Sequence, residues 1–221
     1  SADIQTPGEA QDLTNEIEEA VKTFLAGATP TDRLQPFDLT YMLKNPDMEA
    51  TDGWSTAPTL GNSCGEFYEK AFNMNQIIAS LPAGTYQFCA NAFQRPGVNT
   101  AVYSDFLNGT DNITAYLYAG SEKVKLCNIC KDAQQQSLGG REVQVGANLY
   151  IPDDMEAASL YFDKGLYANS VTTTVDKNGQ SLRMGLSVVS APSNYWCIFD
   201  NFKLYFFGRM SKEEVTAIKT P

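Results

Sequence analysis

Short runs in which apolar and polar residues alternate fill most of the chain from about residue 36 onward. In the clearest run, residues 85–92, every second side chain is apolar: Tyr86, Phe88, Ala90 and Ala92. Strict alternation is typical of a β-strand with one buried face, and many short strands joined by tight turns favour a sandwich or jelly roll. The pattern therefore predicts an all-β fold, with a jelly-roll β-sandwich over residues 36–209.

Further runs extend this prediction towards the carboxyl end of the chain. Residues 171–176 and 181–189 alternate on either side of Lys177-Asn178-Gly179, and an Asn-Gly pair between alternating runs predicts a β-hairpin. In the last run, residues 195–207, one face carries Trp196, Ile198, Asp200, Phe202, Leu204 and Phe206. Residues 151–162 interrupt the strands with acidic residues followed by apolar ones, which predicts one short inserted helix.

Residues 1–35 follow a different period and form a predicted helical segment. Thr6 and Glu9 fit a capping box, and residues 6–27 carry apolar side chains at helical spacing. This stripe consists of Leu13, Ile17, Val21, Phe24 and Leu25. A single helix must bury such a stripe against the sandwich or against helices of an upstream domain, and we favour the upstream domain. Residues 210–221 form a predicted C-terminal tail.

Charge and composition exclude several classes of function. The formal net charge is −10, and an acidic surface repels nucleic acids and anionic membranes, whereas it tolerates calcium and neutral sugars. The chain has no histidine, which excludes histidine acid–base catalysis and histidine metal sites. No apolar run approaches the ~18 residues of a membrane span, so we expect no membrane insertion. The chain starts at Ser1 without a visible signal peptide, so we expect a mature or trimmed product.

The five cysteines match neither a disulfide framework nor a zinc site. Cys127 and Cys130 form a C-x-x-C pair, but neither a second pair nor a histidine completes a zinc site. We expect ordinary free thiols, with a disulfide between Cys127 and Cys130 as the alternative.

Four stretches resemble, in order, the motifs of galactose-binding-like β-sandwiches. Residues 43–54 contain Asn-Pro-Asp-Met-Glu followed by Gly-Trp, and residues 76–86 end in Leu-Pro-Ala-Gly-Thr-Tyr. Residues 155–165 are similar to a short helix of such domains, and residues 196–205 contain the closing Phe-Asp-Asn-Phe-Lys-Leu strand. The resemblance spans about residues 37–208, and it is to carbohydrate-binding modules of secreted and surface glycan-utilisation proteins of gut bacteria.

The resemblance implies a non-catalytic carbohydrate-binding module of a secreted, periplasmic or cell-surface protein, with an oligo- or polysaccharide as its partner. Since one fold hosts many functions, two alternatives stay open. The first is a structural or protein-interaction sandwich that does not bind sugar. The second is a glycoside hydrolase that uses only carboxylates, for which the candidates are Asp153, Asp154, Glu156 and Asp163. The spacing of these four residues along a helical segment favours helix-dipole and solvation roles instead.

The resemblance further implies a structural calcium ion held by Glu49 of the opening motif and Asp200 of the closing strand. The residues themselves point the same way, because Asp200 lies in phase with the apolar face of residues 195–207. An unpaired buried carboxylate is very costly, and calcium binds about six to eight oxygens. In the alternative, Asp200 accepts hydrogen bonds from backbone amides and Glu49 faces water.

Four residues are candidates for sugar binding: Arg95, Asn99, Tyr103 and Tyr167. The first three lie in residues 93–105, which we interpret as a loop after a core strand, and the fourth lies in a second loop. A sugar site combines an exposed aromatic ring with polar side chains for the hydroxyl groups. In the alternative, the tyrosines are packed and Arg95 is a surface charge. Trp54 and Trp196 lie inside the fold motifs, so we predict that they belong to the core.

Overall fold

The structure is a computed structural model that describes residues 6–27, 30 and 34–217. The helices are α1 (Pro7–Gly27), α2 (Asn99–Asn108), α3 (Met155–Asp163) and α4 (Lys212–Thr216), with a 3-10 turn at Thr40–Met42. The strands are β1 (Phe37–Asp38), β2 (Thr59–Gly61), β3 (Cys64–Tyr68), β4 (Phe72–Leu81), β5 (Gly84–Pro96), β6 (Ala115–Ala119), β7 (Glu122–Lys125), β8 (Cys127–Asn128), β9 (Glu142–Val145), β10 (Leu149–Pro152), β11 (Ala168–Val175), β12 (Gln180–Val188) and β13 (Tyr195–Phe206). None of the described helices is both long and apolar enough to cross a membrane.

Most of the strands form two sheets. Sheet A has the strand order β11-β5-β13-β3-β2, with β1 paired to β13 and β8 paired to β5. Sheet B has the order β4-β12-β6-β7, and β9 and β10 form a separate antiparallel pair. Within the described chain every pairing between strands is antiparallel except that of β5 with β8. The mostly-β architecture that the alternating runs predicted is therefore confirmed.

The two sheets face each other across one hydrophobic core, as in a β-sandwich. Sheet A contributes Tyr86, Phe88, Phe199, Phe202 and Phe206, and sheet B contributes Phe72, Met74, Leu117, Leu182 and Leu186. The ring of Trp54 packs against that of Phe202, with 4.7 Å between the ring centroids, so Trp54 is a core residue as predicted. Burial of these side chains is the main stabilising contribution in such a layered fold.

The predicted hairpin around Asn178 and Gly179 is wrong, although both of its strands exist. β11 pairs with β5 in sheet A, whereas β12 pairs with β4 and β6 in sheet B, so the turn carries the chain between sheets. The turn contacts the β4–β5 connection instead. The N–H of Ala83 donates to Asn178 Oδ1 (2.7 Å), and the N–H of Gly179 donates to the carbonyl of Leu81 (2.9 Å). Local turn chemistry fixes the reversal of the chain, but burial selects the partner strand.

A β-bulge in β13 corrects the predicted face of the last strand. The register of β13 against β5 shifts between Asp200 and Lys203, and Asn201 has a positive φ of 53°. An extra residue in a strand changes the face to which the later side chains point. The side chains that point away from the main core are Trp196, Ile198 and Asp200, and those that point into it are Phe202, Leu204 and Phe206.

A second hydrophobic cluster covers part of the outer face of sheet A. Phe93, Trp196 and Ile198 project from the sheet and pack against α2, α3 and the β9–β10 pair. The covering residues include Val102, Val145, Ile151, Ala158, Tyr161 and Phe162. Trp196 is therefore buried, as predicted, but in this second cluster. Of the two covering helices, α3 matches the predicted inserted helix and α2 was not predicted.

The N-terminal helix is confirmed, together with its capping box. The N–H of Glu9 donates to Thr6 Oγ1 (3.2 Å), and the N–H of Thr6 donates to the Glu9 carboxylate (2.9 Å). The end of α1 contacts the sandwich, where Leu25 is buried. Leu13 and Ile17 lie two or more helical turns before Leu25, and both are exposed. The sandwich therefore buries only the last part of the apolar stripe.

The five cysteines are free thiols, as expected. Cys127 and Cys130 are buried in the second cluster, and the Lys131 ammonium group donates to Cys127 Sγ at 3.1 Å. The alternative disulfide between Cys127 and Cys130 is not formed.

Candidate functional site

The most distinctive cleft lies at the edge of the second cluster, where three strands of sheet A place large side chains in one row. Trp196 of β13 is the register partner of Tyr68 on β3 and of Arg95 on β5, so all three side chains point outward. The cleft has a volume of about 410 Å³, which suits a small ligand. Its lining residues are Glu66, Tyr68, Arg95, Arg141, Asp153, Asp154, Met155 and Trp196.

Arg95 forms the back of this cleft. Its guanidinium group lies over the ring of Trp196, 5.2 Å from the ring centroid, and its Nη1 donates to Asp153 Oδ1 at 2.7 Å. Arg95 is only 9% exposed, and its Nε has no hydrogen-bond partner among the described residues. This Nε atom is itself buried, so Arg95 positions Trp196 and Asp153 and does not present Nε at the surface of the cleft.

Asp153 connects Arg95 to two other polar side chains. Asn99 Nδ2 donates to Asp153 Oδ1 (3.3 Å), and Arg141 Nε lies 3.5 Å from Asp153 Oδ2. Arg141 also donates from Nη2 to the backbone carbonyl of Asp153 (2.7 Å). The Oδ1 of Asn99 is buried and has no partner in the described part of the chain. One carboxylate thus orients two arginines and an amide.

The opposite wall combines an acid with an aromatic ring. Trp196 Nε1 donates to the Glu66 carboxylate at 2.6 Å, which fixes Glu66 beside the indole. Tyr68 is 48% exposed, and its hydroxyl donates to Asn194 Oδ1 at 3.3 Å. The lining holds three carboxylates and two arginines, so its formal charge is −1. The cleft therefore presents one half-exposed ring, hydrogen-bond donors and hydrogen-bond acceptors at close quarters.

The structure brings together only two of the four residues predicted to bind sugar. Arg95 and Asn99 meet at Asp153. Tyr167 is fully buried, with its hydroxyl donating to the carbonyl of Ile129 at 2.7 Å, so its predicted exposed role is wrong. It lies inside the second cluster because α3 and the segment after β8 cover it.

The predicted loop at residues 93–105 is also wrong. β5 continues to Pro96, and α2 begins at Asn99, so Asn99 and Tyr103 lie on a helix. Tyr103 is partly buried against the second cluster and lies close to the Cα of Gly146. Its ring therefore packs under the β9–β10 pair and does not line the cleft.

Sequence reasoning missed Glu66, Tyr68 and the role of Asp153. Glu66 and Tyr68 alternate with the buried Phe67, which marks them as outward positions of a strand. Asp153 precedes the helix-capping residue Asp154, whose carboxylate accepts from the N–H of Ala157, and it resembled a simple helix-start acid. The pairing of Asp153 with Arg95 spans 58 residues of sequence and had no local signal.

Of the predicted calcium ligands, Asp200 lies on the outer face of sheet A, immediately before the bulge in β13. Asp200 is 6% exposed, and its Oδ1 has no hydrogen-bond partner within the described chain. Burial, together with the negative charges of Asp47, Asp163 and Glu49, raises the pKa of Asp200 to about 7. The N–H of Phe202 donates to the carbonyl of Pro46 (2.9 Å), which holds the opening motif against the closing strand.

The fit of this region to a cation is partial. The unpartnered oxygen of Asp200 suits a cation, because a buried carboxylate needs a positive or hydrogen-bonding neighbour. Glu49 is exposed, and its carboxylate accepts from Ser63 Oγ at 2.6 Å. Among the described residues, no group of three or more acidic, cysteine or histidine side chains forms a metal cage.

No protein-family model matches this chain, and a comparison with curated proteins finds none that is similar to it.

Proposed function

We propose that the protein is a non-catalytic carbohydrate-binding module of a secreted, periplasmic or cell-surface protein, with a jelly-roll sandwich of the galactose-binding type. The observation that carries this proposal is the row Tyr68–Trp196–Arg95, which places the half-exposed ring of Tyr68 in one cleft with charged hydrogen-bonding side chains. A sugar ring has an apolar face and a rim of hydroxyl groups. The cleft offers a partner of each kind within a volume suited to a small ligand.

In the proposed complex, the ring of Tyr68 packs against the apolar face of one sugar residue. Arg141, whose side chain is 69% exposed, donates to a hydroxyl oxygen, and the Glu66 carboxylate accepts from a neighbouring hydroxyl. Asp153 holds Arg141 and Trp196 holds Glu66 in place before the sugar arrives, so little side-chain entropy is lost on binding. The negative formal charge of the cleft favours neutral sugars over acidic ones.

The bound sugar is not transformed in this proposal. Asp153 is committed to Arg95, Arg141 and Asn99, and Glu66 accepts from Trp196. A hydrolase needs one carboxyl group that keeps its proton and a second that attacks or activates water. Prolonged incubation with each glycan that binds, followed by chromatography of the products, is expected to return the glycan intact. Release of shorter products would overturn this part of the proposal.

The test of the site is a glycan array on the purified chain, followed by titration of the best ligand. Tyr68→Ala is expected to weaken binding by about tenfold or more, because it removes the aromatic contact. Tyr41→Ala is the matched control, since Tyr41 is exposed and lies outside the cleft. If Tyr68→Ala and the unchanged protein bind the glycan with equal affinity, the sugar does not bind in the cleft. A blank array with folded protein would contradict sugar binding itself.

We also propose a structural calcium ion, with Asp200 and Glu49 as its side-chain ligands. When bound, calcium supplies the positive charge that the buried carboxylate of Asp200 lacks among the described residues. It also links the opening motif to the closing strand at the point where Phe202 already bonds to Pro46. Its role in this proposal is to stabilise the fold and not to take part in chemistry.

A second candidate function is a protein-interaction domain, which the first turns of α1 support. Leu13 and Ile17 expose an apolar stripe that the sandwich does not bury. The proposed occupant is an upstream helical domain of the same protein, as the amphipathic pattern favours. Replacing both residues with Gln is expected to leave sugar binding unchanged if the two functions are separate, and a titration of the best glycan measures this.

A further inference from the structure

The outer face of sheet A carries a second concavity, separate from the cleft. Its volume is about 680 Å³, and its floor is formed by the side chains that β11, β5 and β13 direct away from the main core. β7 and α4 form its walls. We refer to this concavity as the groove. No residue lines both the groove and the cleft.

Strand register arranges the floor of the groove in two rows. Gln87 of β5 lies between Thr172 of β11 and Tyr205 of β13, and Cys89 lies between its two neighbours, Ser170 and Lys203, in the next row. Gln87 is only 3% exposed, and its Nε2 donates to Thr172 Oγ1 at 3.4 Å. The floor therefore presents a fixed amide and a hydroxyl beside a tyrosine ring, and these groups suit a hydroxylated ligand.

The charge of the groove is opposite to that of the protein. Three lysines and one glutamate line it, which gives a formal charge of +2 in a chain of net charge −10. The Lys212 ammonium group is paired with Glu122 at 2.7 Å, and that of Lys123 lies over the ring of Tyr116. The exposed Lys203 makes no ion pair with any described residue. Lys203 is thus an exposed cation with no ion pair to the described residues, on the floor of a polar groove.

We propose that the groove binds an acidic saccharide, whose carboxylate or sulfate group contacts Lys203. The hydroxyl groups of the bound sugar residue contact Gln87 and Asn91, and the sugar ring packs beside Tyr205. Charge complementarity selects the acidic ligand, because the lining of the groove is positively charged in a chain of net negative charge. The inference rests on the proposed function for the saccharide as ligand, but it concerns a different site and a different charge class.

The experiment is a calorimetric titration of the full chain with three probes: tri-galacturonate, a sulfated chondroitin disaccharide and neutral maltotriose. We expect at least one acidic probe to bind and its affinity to fall as sodium chloride rises from about 50 to 500 mM. Lys203→Ala is expected to weaken this binding about tenfold, and Lys203→Arg to retain most of it. Lys177→Ala is the matched control, since Lys177 is an exposed lysine in the turn before β12.

The outcomes separate this inference from the proposed function of the cleft. Absence of binding by both acidic probes, or binding that Lys203→Ala leaves unchanged, would overturn the inference. Acidic binding that Tyr68→Ala abolishes would also overturn it, because the ligand would then occupy the cleft. Acidic binding that depends on Lys203 while neutral arrays stay blank would support the groove and contradict the cleft.

Discussion

The outer face of sheet A is divided into two halves that are built on the same strands. In the covered half, Phe93 and Trp196 project outward and lie beneath α2 and α3. In the open half, Gln87 and Lys203 project outward and form the groove. On β13 the boundary coincides with the bulge after Asp200. The outward residues of a sandwich strand therefore decide whether the sheet is covered by a second layer or keeps a polar surface for ligands.

The first prediction tests whether the second hydrophobic cluster is a closely packed layer, and it has the largest expected change in stability. Phe93 is fully buried, and its ring lies 5.2 Å from that of Trp196 and 4.6 Å from that of Tyr167. Phe93→Ala is expected to lower the free energy of unfolding by about 3–5 kcal/mol, because it leaves a cavity among buried rings. Urea denaturation measures this. Ser170→Ala in the open half is the control and is expected to change it by less than about 0.5 kcal/mol. Equal effects of the two substitutions on stability would contradict the division of the outer face into a packed half and an open half.

The second effect concerns calcium, which in our proposal is held where the two halves meet. Calcium at about one hundred times its dissociation constant is expected to raise the free energy of unfolding by about 2.7 kcal/mol relative to chelator. Asp200→Asn is expected to abolish this difference, since it removes the charged ligand. Asp176→Asn, in the exposed turn before β12, is the control. The same stability in calcium and in chelator would contradict the proposed ion.

A third prediction compares two acids of the outer face, one paired and one unpaired. Asp153 bonds to Arg95 and Asn99, so Asp153→Ala is expected to cost about 1–3 kcal/mol of stability by leaving the buried Arg95 without its partner. Asp200→Asn in chelator is expected to be neutral or stabilising, because burial raises the pKa of Asp200 and so opposes its ionised form. Chemical denaturation of both variants in chelator makes the comparison. A reversed order of the two effects would refute this account of the acids.

The strands and the main core could be predicted because their signal is local. Residues 85–92 alternate, and their apolar members do face sheet B across the core. The same holds for α1, whose capping box lies within four residues of sequence. Partner choice was not local, which explains the wrong hairpin at Asn178. Each of the two strands beside that turn has one apolar face. The alternation of apolar and polar residues would therefore allow either strand to pair within either sheet.

The candidate site was harder to predict because it depends on the second layer. The segment that forms α2 follows Pro96-Gly97 and contains residues typical of loops, so its helical propensity is weak. Burial of Val102 in the second cluster and the left-handed Gly109 at its C-terminus (φ 67°) stabilise the helix instead. Tyr167 was misplaced for the same reason. Segments that are distant in sequence, α3 and the residues after β8, bury Tyr167. The alternation pattern within one strand gives no information about such segments.

The last prediction tests whether Tyr103 borders the cleft, and it has the smallest expected change in stability and affinity. Tyr103 has no hydrogen bond from its hydroxyl to any described residue, and its ring packs against the second cluster. Tyr103→Phe is therefore expected to change the free energy of unfolding by less than about 0.5 kcal/mol and to leave sugar affinity unchanged. Urea denaturation and a titration with the best glycan measure the two quantities, with Tyr68→Ala as the variant that loses affinity. Loss of binding in Tyr103→Phe with unchanged stability would return Tyr103 to the site, and it would move the ligand from the row of Tyr68, Trp196 and Arg95 towards α2.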